Sequence, residues 1–354
     1  MKALFIAVLT GHGLLLPLGT LILAGLFVFV VASRLAHHAD AIADATGMGR
    51  VWIGSLLLAA STSMPEIVTD VSAAAFGLPN IGVGDLMGST LANMLLLALL
   101  DIAFGRRQLL QHAAIDHALV GVLAIVLTAF AGMSIAGGGW GTLGFVGADT
   151  LLIGVAYVFG MRIVFDLTTY ASNGDAIESN QPSTESEHAA ARRLAKRSQL
   201  IRSASSFAIA SIALLFVVPL LIFSAEAVAI EGGVSDSFVG TFLVGLTTSF
   251  PEVAAGIAAV RIGAIDLAVG NVFGSNAFNM IVLLMMDVAY RGKPLLSAVS
   301  QSHTVTAYSA IAAISLGVMA LLARAHQRAW VARGFSASIV SVYVLSLYLL
   351  SRLT

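Results

Sequence analysis

The sequence predicts an all-α polytopic membrane protein of about ten transmembrane helices in a 5+5 inverted repeat. Three observations carry that prediction: an apolar composition, ten segments long enough to span, and a stretch that matches itself 186 residues later. Of 354 residues, 58% are hydrophobic and 10% charged, with a mean hydropathy of +0.95. Soluble domains carry about 25% charged residues, so the main solvent of this chain is lipid. A net charge of −1 speaks against a nucleic-acid partner, which calls for a basic surface. With no cysteine in the chain, disulfides, thiol chemistry and zinc-thiolate sites are excluded.

A span needs about 20 mostly apolar residues. Ten candidates centre near residues 23, 63, 91, 122, 155, 215, 248, 276, 312 and 341. The first follows a single lysine and runs on far longer than the apolar core of a signal peptide, so the N-terminal stretch reads as one spanning helix. Between the fifth and sixth candidates lies the one long polar segment, Ser172 to Gln199, acidic at its start and basic at its end. It reads as a solvated tether with room for a short surface helix. The chain therefore divides into a first five-helix repeat (1–170), a cytoplasmic linker (171–202) and a second five-helix repeat (203–354).

Orientation follows from the excess of lysine and arginine on cytoplasmic loops. With the N-terminus outside, fourteen basic residues fall on cytoplasmic segments: Arg34, Arg50, Arg106, Arg107, Arg162, Arg192, Arg193, Lys196, Arg197, Arg202, Arg261, Arg324, Arg328 and Arg333. Four fall outside: Lys2, Arg291, Lys293 and Arg352. Both termini are expected outside a plasma (inner) membrane.

Shifted by 186 residues, Gly54–Asp101 aligns without a gap on Gly240–Asp287, and 16 of the 48 pairs are identical. Apolar helices match by chance at leucine, alanine and valine. The matches here include Thr62, Ser63, Pro65, Glu66, Ser89 and Asn93, each with its partner. The shift covers five spans, an odd number, so the second copy enters the membrane from the opposite side. Inverted repeats are an architecture of secondary transporters, which place ion sites near the midplane at the repeat interface.

The repeated residues suggest what such a site would hold. Pro65 and Pro251 lack an amide hydrogen and clash with the carbonyl four residues back, so kinks are expected that free carbonyls around Ala59–Thr62 and Gly245–Thr248. Thr62 and Glu66 are four apart and share a helix face, as do Ser89 and Asn93, and Ser275 and Asn279. The donors are all oxygen. Hard cations such as calcium take about 6–8 oxygens, whereas transition metals prefer imidazole or thiolate. Glu66 and Glu252 supply a charge of −2, which one calcium ion neutralises. A bare carboxylate at mid-membrane costs about 2.5–3.5 kcal/mol on insertion scales, which a bound cation would offset.

The motifs "STSMPE…GDLMGSTLAN" and "TTSFPE…GNVFGSNAFN" resemble the two α-repeats of the cation/calcium exchanger superfamily, in its sodium/calcium exchanger branch. The resemblance implies a ten-helix antiporter, not an enzyme, that binds calcium and sodium alternately in one central site. It needs no cofactor; its partners are Ca2+, monovalent cations and the lipid bilayer. Carried over by position, the ligands are Thr62, Ser63, Glu66, Ser89 and Asn93 in the first repeat. The second gives Thr248, Ser249, Glu252, Ser275 and Asn279, and the carbonyls of Ala59 and Gly245 are further candidates.

The sequence departs from the family pattern where Asp85 and Thr90 replace the usual asparagines. At Asn279 some relatives carry aspartate, leaving this site one charge poorer. Asp70, one turn beyond Glu66, reads as a cavity-lining or cytosol-facing aspartate, the alternative being an added proton or sodium site. Asp101 and Asp287, at the ends of their spans, are expected to be solvated, as are His37, His38, His112 and His117. Rival readings are proton-coupled calcium exchange, a passive cation channel and an intramembrane aspartyl protease. For the last, "GVGD" at Gly82–Asp85 is a match, but its repeat counterpart reads "AVGN".

Overall fold

The computed structural model describes residues 2–11, 13–46, 52–103, 113–114, 116–177, 186–232, 248–323 and 329–353, and these are almost entirely helical. Gly245, His112, Arg50, Arg106, Arg107, Arg324 and Arg328 lie outside the described residues. Among the described residues six helices are long and apolar enough to cross a bilayer: α2 (Leu15–Thr46), α5 (Pro79–Ala103), α6 (His117–Gly137), α7 (Ala148–Ile177), α10 (Ile265–Ala289) and α12 (His303–Leu322). Their spans contain the expected centres at 23, 91, 122, 155, 276 and 312. The centre at 215 falls in α8 (Ser186–Glu231) and that at 341 in α13 (Ala329–Leu353).

Two expectations are refined. The N-terminal apolar run holds the expected first spanning helix as α2, but a separate short helix, α1 (Lys2–Leu9), precedes it, and glycines 11 and 13 between them take φ of 83° and 75°. Such left-handed values suit glycine and interrupt a helix. The polar tether is also mostly helical, because α7 runs on to Ile177 and α8 begins at Ser186.

The repeat is reproduced to the residue. A π-helical turn (Ile53–Leu58) leads into α3 (Ala59–Thr62), and α4 (Met64–Ala75) begins after Ser63. Its counterpart α9 (Phe250–Arg261) begins after Ser249. Both serines leave the helical region in the same way, with φ/ψ of −85°/6° and −78°/2°. Each proline then falls in the first turn of the new helix, where its missing N–H costs nothing. Thus the proline starts a helix rather than kinking one. Each new helix also ends alike. Gly77 and Gly263 take φ of 76° and 81°, and their amides and the next ones bond back to Ala74 and Ala73, and to Val260 and Ala259. This is the Schellman closure that glycine permits. It turns the chain into α5 and α10, each 25 residues long with bounds 186 apart.

These two helices form the centre. The apolar windows of α5 and α10 are 72% and 67% buried among the described residues, against 22% for α2. The packing interleaves the halves: α10 lies on α6 and α7 of the first half, while α5 lies on α12 and α13 of the second. Glycines set the closest approach. A Cβ on Gly274 would fall 2.3 Å from the carbonyl oxygen of Ser55, and one on Gly54 would fall 3.1 Å from that of Leu267. Small residues let helix backbones meet in this way within a membrane.

Candidate cation-binding site

The helix breaks at Ser63 and Ser249 lie side by side at the repeat interface. Ser63 Oγ donates to Glu252 Oε1 at 2.9 Å and lies 3.2 Å from Ser275 Oγ, which is 3.5 Å from the same carboxylate oxygen. Thr62 Oγ1 lies 3.2 Å from Asn271 Oδ1. Thr248 Oγ1 lies 3.4 Å from Asp85 Oδ1; these two contacts are repeat equivalents, since Thr62/Thr248 and Asp85/Asn271 are each 186 apart. Asn93 Nδ2 donates to Asn276 Oδ1 at 3.1 Å. All of Thr62, Ser63, Glu66, Ser89, Asn93, Thr248, Ser249, Glu252, Ser275 and Asn279 are at most 2% exposed.

Many of these buried oxygens have nothing to bond. Among the described residues, Glu66 Oε2, Glu252 Oε2, Ser89 Oγ, Ser249 Oγ, Asn93 Oδ1 and Asn279 Oδ1 have no hydrogen-bond partner. Buried polar atoms are normally satisfied, so a cluster of orphaned oxygens, two of them on carboxylates, suits a hard cation as the missing partner. Glu66 and Glu252 each sit in the first turn of a helix, where the N-terminal dipole favours negative charge. Ala59 departs from the expectation. Its carbonyl accepts the Ser63 amide at 2.9 Å and lies 3.2 Å from Thr62 Oγ1, so it is already engaged.

Around the site the repeat builds paired anchors that sequence reasoning missed. Asp287 and Asp101, expected to be solvated, are 1% and 5% exposed. Asp287 Oδ2 accepts from Thr150 Oγ1 at 2.5 Å, and Asp101 Oδ2 from Ser336 Oγ at 2.7 Å. His117, also expected in solvent, is fully buried, with Nε2 3.1 Å from Asp266 Oδ1; His303 Nε2 lies 3.2 Å from Asn80 Oδ1. Thr150/Ser336, His117/His303 and Asn80/Asp266 are again pairs 186 apart. The signal was present in the sequence: the same offset, carried past Asp101, still aligns His117 with His303. Asn271 and Asn276 lay in the second motif but had no assigned contact.

Comparison with known proteins agrees with this architecture. Putative antiporter CaxA of Alkalimonas amylolytica is 27% identical over 277 residues, 74% of this chain and 77% of that protein. Inner membrane protein YrbG of Escherichia coli strain K12 is 26% identical over 271 residues, 77% of this chain and 79% of that one. A 52-residue stretch, 15% of each chain, is 42% identical to sodium/calcium exchanger MaX1 of Methanosarcina acetivorans. The fold matches that of the sodium-calcium exchanger NCX_Mj soaked with Na+ and Sr2+, with a TM-score of 0.66 at 18% identity, over 94% of this chain and 98% of that one. The sequence pattern described as sodium/calcium exchanger protein matches residues 16–165 and 202–352. With both halves matched, the chain belongs to the sodium/calcium exchanger family.

Proposed function

We propose that this protein is a secondary antiporter that exchanges Ca2+ for Na+ by alternating access at the site between Glu66 and Glu252. The observation that carries the reading is the set of orphaned, fully buried oxygens gathered from both repeats. Calcium uses both carboxylates, and the hydroxyls of Thr62, Ser63, Thr248 and Ser249, with Ser89, Asn93, Ser275 and Asn279, complete its shell or form smaller monovalent sites beside it. Ala59 and Gly245 contribute at most their carbonyls. Both loads need the same two charges, so they compete, and competition is what couples their movements. An empty site of charge −2 crosses a dry barrier poorly, which suppresses futile return.

The full arrangement in this reading is ten spans, divided 1–170, 171–202 and 203–354, with both termini outside a plasma (inner) membrane. A cysteine introduced between Ser172 and Gln199 then labels only from the cytoplasmic side, and labelling by an impermeant reagent on intact cells reverses the orientation.

The deciding experiment is calcium flux in proteoliposomes with sodium, potassium and proton gradients imposed separately at clamped voltage. A response to sodium supports the reading. A response to protons alone replaces sodium with proton coupling. Glu66→Gln and Glu252→Gln, which keep the volume and remove one charge, abolish flux while the protein still runs as a monodisperse species; near wild-type flux in either overturns the site.

A further inference from the structure

A cavity of about 510 Å³ opens on one side of α2, lined by Phe29, Val30, Ser33, Arg34, His37 and His38. Its lining is apolar at Phe29 and Val30 and basic from Arg34 to His38. The rings of His37 and His38 meet edge to face, with centroids 5.8 Å apart. Helix α8 packs along α2 and brings the charge of Arg202 to bear on His38. Arg34 and Arg202 are both exposed, and neither is in an ion pair among the described residues. Asp40 and Asp44 lie further along α2 and do not line the cavity.

On the N-terminal side of Arg34 the helix carries an apolar face. Leu23, Leu26, Phe27 and Val30 follow one another at helical spacing and are exposed among the described residues. The same spacing leads on to Arg34 and His37. At about 1.5 Å per residue the rise from Leu23 to Arg34 is about 16 Å, close to half of a hydrocarbon core about 30 Å thick. An apolar stripe of that length, ending in unpaired guanidinium groups, matches one acyl chain of a leaflet and its phosphate. Arginine holds phosphate through paired N–H donors, and an imidazole adds an N–H whether or not it is charged.

We propose that this cavity is a binding site for one anionic phospholipid. Arg34, Arg202 and the two imidazoles hold its phosphate, and one acyl chain runs along the face from Val30 to Leu23. In the orientation proposed above this is the cytoplasmic leaflet, whose anionic lipids attract basic segments. A soluble phosphate would leave the apolar part of the cavity and the stripe unfilled. A zwitterionic lipid would place a choline cation beside two unpaired guanidinium groups, with no acid in the lining to receive it. None of the residues proposed to hold the transported ions lines the cavity, so the lipid site stands or falls separately from the exchange reading.

The test is native mass spectrometry of the purified full chain in detergent. Dioleoyl phosphatidylglycerol, dioleoyl phosphatidylcholine and glycerol 3-phosphate are added separately. One saturable phosphatidylglycerol per chain is expected, with phosphatidylcholine and glycerol 3-phosphate bound more weakly. Arg34→Gln and Arg202→Gln, which break no ion pair, each weaken that lipid about fivefold. Val30→Trp, which fills the cavity without changing the charge, weakens it as well. Arg261→Gln removes an exposed charge placed at the same membrane face but outside the cavity, and leaves the lipid unchanged. Equal weakening by Arg261→Gln overturns the site in favour of diffuse surface charge. Phosphatidylcholine bound as tightly as phosphatidylglycerol overturns it by leaving only an apolar groove. Glycerol 3-phosphate that displaces the lipid at equal concentration overturns it in favour of a soluble phosphate ligand.

Discussion

The hydroxyl of Ser63 donates to the carboxylate of Glu252 at 2.9 Å, so the break in one repeat holds the charged residue of the other. The equivalent hydroxyl, Ser249 Oγ, has no hydrogen-bond partner among the described residues, and both glutamates keep one unpartnered oxygen, Glu66 Oε2 and Glu252 Oε2. The sequence repeats these residues in register, yet the structure uses them unequally. The Ser63 hydroxyl fastens the glutamate of the other repeat, whereas the Ser249 hydroxyl fastens nothing among the described residues.

Ser63→Ala therefore removes both a potential ion ligand and the bond that orients Glu252. Hydrogen bonds to charged groups contribute about 1.5–3 kcal/mol, so the apparent calcium affinity is expected to weaken by about tenfold or more. Ser249→Ala removes a ligand oxygen but no such bond, and its effect is smaller. Concentration dependence of calcium uptake in proteoliposomes measures both. Equal losses in the two variants would show that the cross-repeat bond plays no part in holding the site.

Asp287 should matter for stability rather than for the ion. Its carboxylate accepts three donors: the Gly147 amide at 2.6 Å, Thr150 Oγ1 at 2.5 Å and the Leu295 amide at 2.7 Å. It thereby ties the end of α10 to the start of α7 and to the turn that leads towards α12. Asp287→Ala strands these donors in a buried place, at about 1–3 kcal/mol each. The apparent unfolding midpoint in detergent should fall clearly, while the calcium affinity of the surviving folded fraction stays near wild type. Thr150→Ala, which strands no main-chain amide, should be milder. An unchanged midpoint in Asp287→Ala would remove the anchor from the account.

The repeat core was legible in the sequence because it combines residues that apolar helices avoid. Proline, glutamate, serine and asparagine in register 186 residues apart mark both candidate half-sites, and all ten side chains named there are buried. What the proline does was less legible. Pro65 can kink a helix or start one, and the choice depends on whether the preceding turn continues, which tertiary packing on the π-helical turn decides. That difference moved the Ala59 carbonyl from free to engaged. The anchors were misread for a different reason. An aspartate at the end of a span resembles a solvated one until the chain that covers it is known, and Asp101 and Asp287 are covered by α13 and by the start of α7, far away in sequence. The same holds for His117, whose partner Asp266 lies 149 residues on.

The charge carried in each cycle turns on Asn279. This residue is 1% exposed, and neither its amide oxygen nor its amide nitrogen has a partner among the described residues. It is the repeat equivalent of Asn93, whose nitrogen is engaged by Asn276, so position 279 has the freer side chain of the two. Asn279→Asp converts an unused amide into a third carboxylate facing the same cluster, with little change in volume. A divalent ion gains more from that charge than a monovalent one, since the Coulomb energy scales with the product of charges. Calcium affinity should therefore rise relative to sodium affinity, and the loaded site should carry a net charge one unit more negative. Moving one charge through the whole field is worth about 2.3 kcal/mol per 100 mV, so the voltage dependence of exchange should change measurably. The check is calcium flux at a series of potassium-clamped potentials, for wild type and variant side by side. If Asn279→Asp leaves both the calcium-to-sodium preference and the voltage dependence unchanged, position 279 does not share the field of the transported ions and drops out of the site.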